Sequence, residues 1–420
     1  MFIKSEWDTL REVIIHRPGI EIDYAMLSPR AFLFERPFSR EKAMKEHEHL
    51  QDMLKESGVD VKLLRDMACR RADSDPEFRT VLENKVMARI NFYGDIENSE
   101  KTRNEFAENI QSLDSDTLFN LLILQPSLDV RTDDRNKMEY PKIFSNIPLA
   151  NLYFMRDQQA VSSKGVISGR MRLPQRTAEP VITRFVMRHS LGRDYVKEIP
   201  ENGFFEGGDY IPCGSFGLIG TGPRTNIEGA LGAMNSGMME HDEIFVVENP
   251  RYGFMVDDLL NNMHIDTYFN VASSSTVIGS EILARKASGT IYLREDGSYV
   301  PEKNSEPLSL YDYIRSKGFN FMPLSIHEQL SYSSNFLTLS DGKILCVNSG
   351  NVFRRLVRNG IIDDNIMKEA GILQEPEEDG MFPVKKTMSE FGIDYASIEL
   401  EELTGGYGGA HCMTFALRRS

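Results

Sequence analysis

The apolar positions of this chain change period several times, and the changes mark its elements. Glu12-Val13-Ile14-Ile15-His16 reads as a buried strand that Pro18-Gly19 closes as a turn. A helix follows from Ser39, a plausible N-cap with Glu41 in its first turn, to a stop at Gly58, with Met44, His47, Leu50 and Leu54 on one face. Val59, Val61 and Leu63 then alternate with Asp60 and Lys62, the period of a strand. Strand, helix, strand is an α/β opening.

Between about 70 and 140 the helical period dominates. Ser74-Asp75-Pro76-Glu77 is a helix start, and Phe78, Val81, Leu82, Val86 and Ile90 recur at helical spacing. Ser99 to Ile110 and Asp116 to Leu124 read as two further helices, and no strand stands out. The region is expected to be a helical insertion. After 140, short apolar strands return at Gly165–Ser168, Phe216–Gly220, Ile244–Val247 and Gly342–Val347, with helices expected near 177–190, 226–239 and 253–263. This loose recurrence predicts repeated ββα-type units in a propeller-like or barrel-like array.

The end of the pattern differs from everything before it. Thr404-Gly405-Gly406-Tyr407-Gly408-Gly409-Ala410-His411-Cys412 places four glycines in five positions before one thiol. Glycines suit a loop whose backbone must approach another group closely. Taken alone, the stretch equally fits a turn before an inert, buried cysteine.

Composition narrows the setting. A net charge of −15 disfavours a nucleic-acid partner and favours a cationic ligand. No apolar run long enough for a membrane span exists, and the first residues lack the apolar core of a secretory signal. Cys69, Cys213, Cys346 and Cys412 are scattered without CxxC spacing, which predicts a reducing cytoplasm rather than a disulfide framework or zinc site. Cys69, Cys213 and Cys346 are expected to be structural, and His189, His241 and His327 structural or on the surface.

Four places could carry chemistry. Asn151-Leu152-Tyr153-Phe154-Met155-Arg156-Asp157 puts two charges where a strand should end. Phe204-Phe205-Glu206-Gly207-Gly208-Asp209 sets carboxylates three apart across a Gly-Gly bend. Met263-His264-Ile265-Asp266 reads as a strand whose histidine and aspartate share a face. Cys412 is the fourth. Each alone also fits a structural role. No His pair has metal-ligand spacing, since His47 and His49 stand at i and i+2 of a helix, and neither GxSxG nor a phosphate loop occurs. One thiol, one histidine and several carboxylates suit a cationic substrate attacked by a thiolate.

These residues, in this order, resemble the bacterial and archaeal arginine deiminases. The likeness runs through Leu10–Gly19, Lys45-Glu46-His47-Glu48, Asn151–Asp157, Glu206–Asp209, Gly220–Thr225, His264–Thr267 and His411-Cys412-Met413-Thr414. It implies an α/β fold, a five-bladed pentein propeller of ββαβ-type units with a helical-bundle insertion. The catalytic domain would occupy 1–69 and 146–420 and the insertion 70–145. By position, Cys412 would be the nucleophile, His264 the general acid/base and Glu206 the second catalytic carboxylate. Asp157 and Asp266 would grip the guanidinium, and Asn151, Arg176 and Arg224 would hold the α-carboxylate, with Arg170, Arg172 and Arg184 as neighbours of Arg176 that could take its place. Tyr407 stands where some members carry an arginine; a phenol donates a hydrogen bond there without adding charge. The loop Gly405–Gly409 would be a mobile gate.

The resemblance implies hydrolysis of L-arginine to citrulline and ammonia with no cofactor and no metal. A small-molecule substrate is expected, without nucleic acid or membrane, and a homo-oligomer is left open. The same residues would also serve an amidinotransferase, an arginine dihydrolase or a non-catalytic arginine-binding protein.

Overall fold

The computed structural model describes residues 2–94, 96–133, 138–255, 262–303, 306–371 and 380–420. Five groups of three strands, one of them part of a six-stranded sheet, share a pairing pattern that Asn91–Tyr93, Pro126–Asp133 and Met138–Ser145 repeat. In each, a buried middle strand runs antiparallel to one partner and parallel to the other. The middle strands are Leu10–Ile15, Val166–Ser168, Phe216–Thr221, Thr276–Gly279 and Lys343–Val347. Their antiparallel partners are Phe415–Arg419, Gln159–Val161, Tyr210–Cys213, Phe269–Val271 and Leu337–Ser340. Their parallel partners are Asp60–Leu63, Val196–Glu198, Glu243–Glu248, Asn320–Pro323 and Asp394–Ile398.

A parallel neighbour demands a crossover, and helices supply it. Arg40–Glu56, Glu179–Leu191 and Ile227–Met234 each bridge one such pair. With helices on one side and other strands around them, middle strands are covered on both faces. That is why they read as apolar runs, as Val13, Ile14 and Ile15 do with no exposure. The first group closes the chain on itself: Val13 pairs with Val61 on one side and Ala416 on the other.

The expected elements are mostly present. Ser39 caps the helix Arg40–Glu56, its side chain accepting from the amide of Lys42, and His47, Leu50 and Leu54 are buried. Asp75 caps Pro76–Met87, and Phe78, Leu82 and Val86 face inward. The expected helix at 253–263 falls largely outside the described residues.

Three expectations differ. The region 70–145 contains strands as well as helices: Asn91–Tyr93, Pro126–Asp133 and Met138–Ser145 form a sheet. Leu128 and Val130 do alternate with Asp129, but the helical run just before hides that short signal. The helix Leu64–Ser74 also went unread. It follows its strand directly, with Leu63 as an N-cap residue that makes no side-chain cap, so the sequence carries no start mark.

Neither 151–157 nor 263–266 is strand. In the first, the Gln158 amide donates to the carbonyls of Leu152 and Phe154, at 2.9 and 3.3 Å, and holds a series of turns. In the second, His264 is extended and Ile265–Thr267 is a 3-10 turn, closed by Thr267 Oγ1 on the His264 carbonyl at 2.6 Å.

Candidate active site

Irregular backbone builds the site, and secondary structure holds that backbone in place. Glu206 precedes the 3-10 turn Gly207–Asp209, which feeds the strand Tyr210–Cys213. Glycine is required in this bend: a Cβ on Gly208 would stand 2.7 Å from Nδ1 of His264. Cys412 lies just before Phe415–Arg419, the strand that pairs with Leu10–Ile15. The Asn335 side chain fixes its approach, Oδ1 accepting from the amides of Gly409 at 2.8 Å and Cys412 at 3.1 Å.

Four side chains converge on the histidine and the thiol. Nε2 of His264 lies 2.9 Å from Oε2 of Glu206, and its Nδ1 lies 3.7 Å from Oδ1 of Asp157. Cys412 Sγ lies 3.7 Å from Oδ2 of Asp266, which also receives Nδ1 of His411 at 2.7 Å. Cys412, His264, Glu206, Asp157 and Asp266 are all buried. Oδ1 of Asp157 and Oδ1 of Asp266 have no hydrogen-bond partner among the described residues. Buried carboxylate oxygens without donors are costly, and a cation between them would offset that cost.

The electrostatics follow from burial and neighbours. Burial opposes charge on His264, but Asp157, Asp209 and Glu206 outweigh it and raise its pKa to about 9. For Glu206, burial acts upward, yet Arg224, His264 and Arg176 hold its pKa down at about 2. Burial, then Asp266 and Asp157, push the Cys412 thiol well above its ordinary range. Within the protein alone these surroundings favour a neutral thiol at Cys412 and a charged imidazole at His264.

A narrow cavity opens onto this cluster, lined by Leu33, Asn151, Phe154, Arg224, Tyr407 and Cys412 among others. Larger clefts elsewhere, such as those beside Arg354 and Arg251, do not reach Cys412. Arg224 is 1% exposed, its Nη1 has no hydrogen-bond partner, and its nearest carboxylate oxygen, of Glu206, is 4.0 Å away. Arg176 also lines the cavity, but it is engaged on both sides. Its Nη1 donates to Asp157 at 2.6 Å and its Nη2 to Glu179 at 2.8 Å. Asn151 donates Nδ2 to the Phe32 carbonyl at 2.8 Å. Of the neighbours of Arg176, Arg184 pairs with Glu198 at 3.0 Å, and Arg172 and Arg170 do not line the cavity. Tyr407 is half-buried in the left-handed region, at φ 71°, and the glycines around it are buried against Tyr153, Phe154 and Cys412.

Several members of the site escape sequence reading. Glu179 could have been noticed, being i+3 from Arg176. His411 adjoins Cys412, and its ring reaches Asp266. Glu6 carries no signal at all: its carboxylate lies 2.6 Å from Arg419 and 3.4 Å from His411, both distant in sequence. Asp209, within an expected motif, accepts from the amide of Ile265 at 3.1 Å and from Asn249 at 2.7 Å. Among the described residues, no group of three or more His, Cys, Asp or Glu could hold a metal ion.

Comparison with known proteins bears on the fold and the family. The arginine deiminase family model matches residues 30–419. An arginine deiminase of Halobacterium salinarum is 23% identical over 495 residues, covering 99% of this chain and 96% of its own. One from Streptococcus uberis is 25% identical over 451 residues, covering 99% and 97%. Among solved structures, the citrulline complex of a DDAH variant from Pseudomonas aeruginosa superposes with a TM-score of 0.50 at 14% identity, covering 97% of this chain and 99% of its own. The substrate-bound N-terminal domain of ArgZ, a cyanobacterial arginine dihydrolase, gives 0.51 at 12%, covering 96% and 97%. Identities this low bear on the fold alone, a mixed α/β fold like that of these pentein structures. The family match extends over nearly the whole length, and the chain belongs to the arginine deiminase family.

Proposed function

We propose that Cys412 attacks the guanidinium carbon of L-arginine while Asp157 and Asp266 hold that group, and that His264, paired with Glu206, moves the protons. As a member of its family the chain is a hydrolase of C–N bonds in linear amidines, converting arginine to citrulline and ammonia. One observation carries the assignment of residues: two buried carboxylates flank the thiol, each with an oxygen that lacks a donor among the described residues.

A guanidinium is a resonance-stabilised, poor electrophile. Paired carboxylates fix its orientation and localise its charge. The bound cation also offsets the anionic field that keeps the Cys412 thiol neutral, so ionisation and substrate binding support each other. Sulfur attack gives a tetrahedral adduct, and protonated His264 delivers its proton to the departing ammonia. The thiouronium left on Cys412 is then hydrolysed by a water that His264 deprotonates. Citrulline leaves and the thiol is restored.

In the same cavity, Arg224 is the anchor for the α-carboxylate, supported by Asn151 and Tyr407, since a guanidinium fork matches a carboxylate. Arg176 acts one step back, holding Asp157 in place with Glu179 behind it. The same pairing pattern in five strand groups supports a five-bladed propeller with its site at the centre, and the elements of 70–145 support a separate insertion. Among the described residues no helix is long and apolar enough to cross a membrane.

Product analysis with arginine, agmatine and peptidyl-arginine, with and without added glycine, tests this reading. Equimolar citrulline and ammonia from free arginine is the expected result. Ornithine with two ammonia points to a dihydrolase, an amidino product of glycine to a transferase, and calorimetric binding without product to a non-catalytic receptor.

A further inference from the structure

The helix motif Lys45-Glu46-His47-Glu48 has no part in the chemistry above, yet one of its side chains touches the backbone that walls the substrate cavity. Gly406, the last residue of the turn Leu403–Gly406, and Tyr407 after it line that cavity. Both oxygens of Glu46 accept from the amide of Glu402, at 2.9 and 3.0 Å, and Oε2 also accepts from the amide of Leu403 at 3.0 Å. These are the leading amides of a 3-10 turn, groups that have no partner inside it. Glu402, the residue before the turn, makes no side-chain cap. A carboxylate carried on another element therefore caps it.

Glu46 is well placed for this. Ala43 and Leu50, three before and four after it, are buried, so the helix face that presents Glu46 is clamped to the core. The rest of the turn is held from separate directions. Tyr153 donates to the Leu403 carbonyl at 2.9 Å, the Glu35 amide donates to Gly405 at 2.9 Å, and Arg355 donates to Thr404 Oγ1 at 2.5 Å. Only Glu46 fixes the entry of the turn through two successive backbone amides among the described contacts. Tyr407 N in turn bonds the Thr404 carbonyl at 3.0 Å, so the entry sets where Tyr407 stands.

We propose that Glu46 is a positioning residue for substrate binding: by capping Glu402 and Leu403 it sets Gly406 and Tyr407 against the cavity that receives the carboxylate end of arginine. The inference rests on the arginine-hydrolysing reading of that cavity. It assigns Glu46 to recognition and leaves bond-breaking to Cys412, His264 and Glu206. Loss of a contact shared equally by ground and transition states raises KM and spares kcat.

The charge of Glu46 adds a second readout. Burial pushes its carboxyl up to about 7, against the pull of the Glu402 and Leu403 amides, with Glu402 and Glu401 pushing further. The other charged groups around the turn are Arg36 and Lys42, which face Glu402 at 3.1 and 3.8 Å, and Glu35 with Arg355, paired at 3.1 Å. A carboxyl with its pKa raised to this range is the better acceptor above pH 7. The cap should weaken as pH falls to 6.

The experiment compares wild type, Glu46→Gln and Glu46→Ala. Glu46→Ala is expected to raise KM for arginine about tenfold with kcat within about threefold, and Glu46→Gln to fall between, since it keeps one acceptor. Wild type should also show a KM increase from pH 8 to pH 6 that both variants lack. Arginine titrated calorimetrically into each variant in a Cys412→Ala background gives Kd directly and shows that the variant is folded. A KM and Kd unchanged in Glu46→Ala, or a kcat loss with KM unmoved, overturns the proposal. If wild type makes no citrulline, the reading of the reaction fails, whereas the Kd comparison still decides the role of Glu46.

Discussion

Nε2 of His264 and Oε2 of Glu206 stand 2.9 Å apart, both out of contact with solvent. That pair ties the proposed proton-transfer group to a carboxylate whose own pKa is held at about 2. Glu206 thus stays charged wherever the enzyme works, and its charge helps keep a proton on His264.

The first consequence is a pH profile. His264 must be protonated to discharge ammonia, and its pKa is raised to about 9. The free-enzyme profile, kcat/KM against pH, should therefore lose activity as pH rises through about 9. In Glu206→Gln one of the raising charges is gone. The alkaline limb should move to lower pH, together with a fall in kcat of about a hundredfold or more. A limb that stays in place in this variant sinks the assignment.

Cys412→Ala should bind arginine, since Asp157, Asp266 and Arg224 remain, and release no ammonia. Calorimetry and an ammonia assay on one preparation suffice. Turnover retained in this variant would refute the nucleophile.

The two cavity arginines should behave differently. Arg224→Ala is expected to raise KM for arginine about a hundredfold, because a buried cation facing the carboxylate is lost. The effect should vanish with agmatine, which has no carboxylate. Arg176→Ala releases Asp157 from its 2.6 Å partner, so kcat should fall with either substrate. Equal responses of the two variants to both substrates would show that the division of labour is wrong.

Gly208→Ala places a methyl group within 2.7 Å of the His264 ring. Either the ring or the bend must shift, and a displacement of that order costs about a hundredfold in rate. A variant with full activity would mean that the ring position is not critical.

His47 yields a stability prediction. It is fully buried, and burial, with His16 and Arg17 adding, lowers its pKa to about 3. The unfolded chain then binds the extra proton more readily between about pH 6.5 and 3. Stability from this site is present above pH 6.5 and is lost as pH falls, by about 1.4 kcal/mol per pH unit. Urea unfolding at pH 7 and 5 measures the difference. Replacement by Gln should flatten it; an unaltered slope would place the acid sensitivity elsewhere.

How far the sequence carries depends on whether a feature is local. Ser39 and Asp75 announce helices because a cap and the amide it serves lie within one turn. The glycine bend after Glu206 is local in the same way. The assembly of the site is not. Arg224 and Arg176 are both arginines near the right place, and only the structure reveals that Asp157 and Glu179 occupy one of them. Asn335 sits in a run of serines, yet its side chain fixes the amide of the nucleophile. His264 and Asp266 do both face the chemistry, though through a 3-10 turn and not by strand alternation. The pattern singled out both residues there for a mistaken reason.

The strand that carries Cys412 toward the site pairs with Leu10–Ile15, and the same junction links Arg11 to Ser420 across 409 positions. A pairing so remote forms late, because loop-closure entropy must be met before that contact gives anything back. Catalytic competence is therefore a report on topology as well as on the site. A refolding chain whose other strand pairs are native while this one is still open would show nearly all of its secondary structure and none of its turnover. In a refolding time course, recovery of activity should lag recovery of the far-ultraviolet circular dichroism signal.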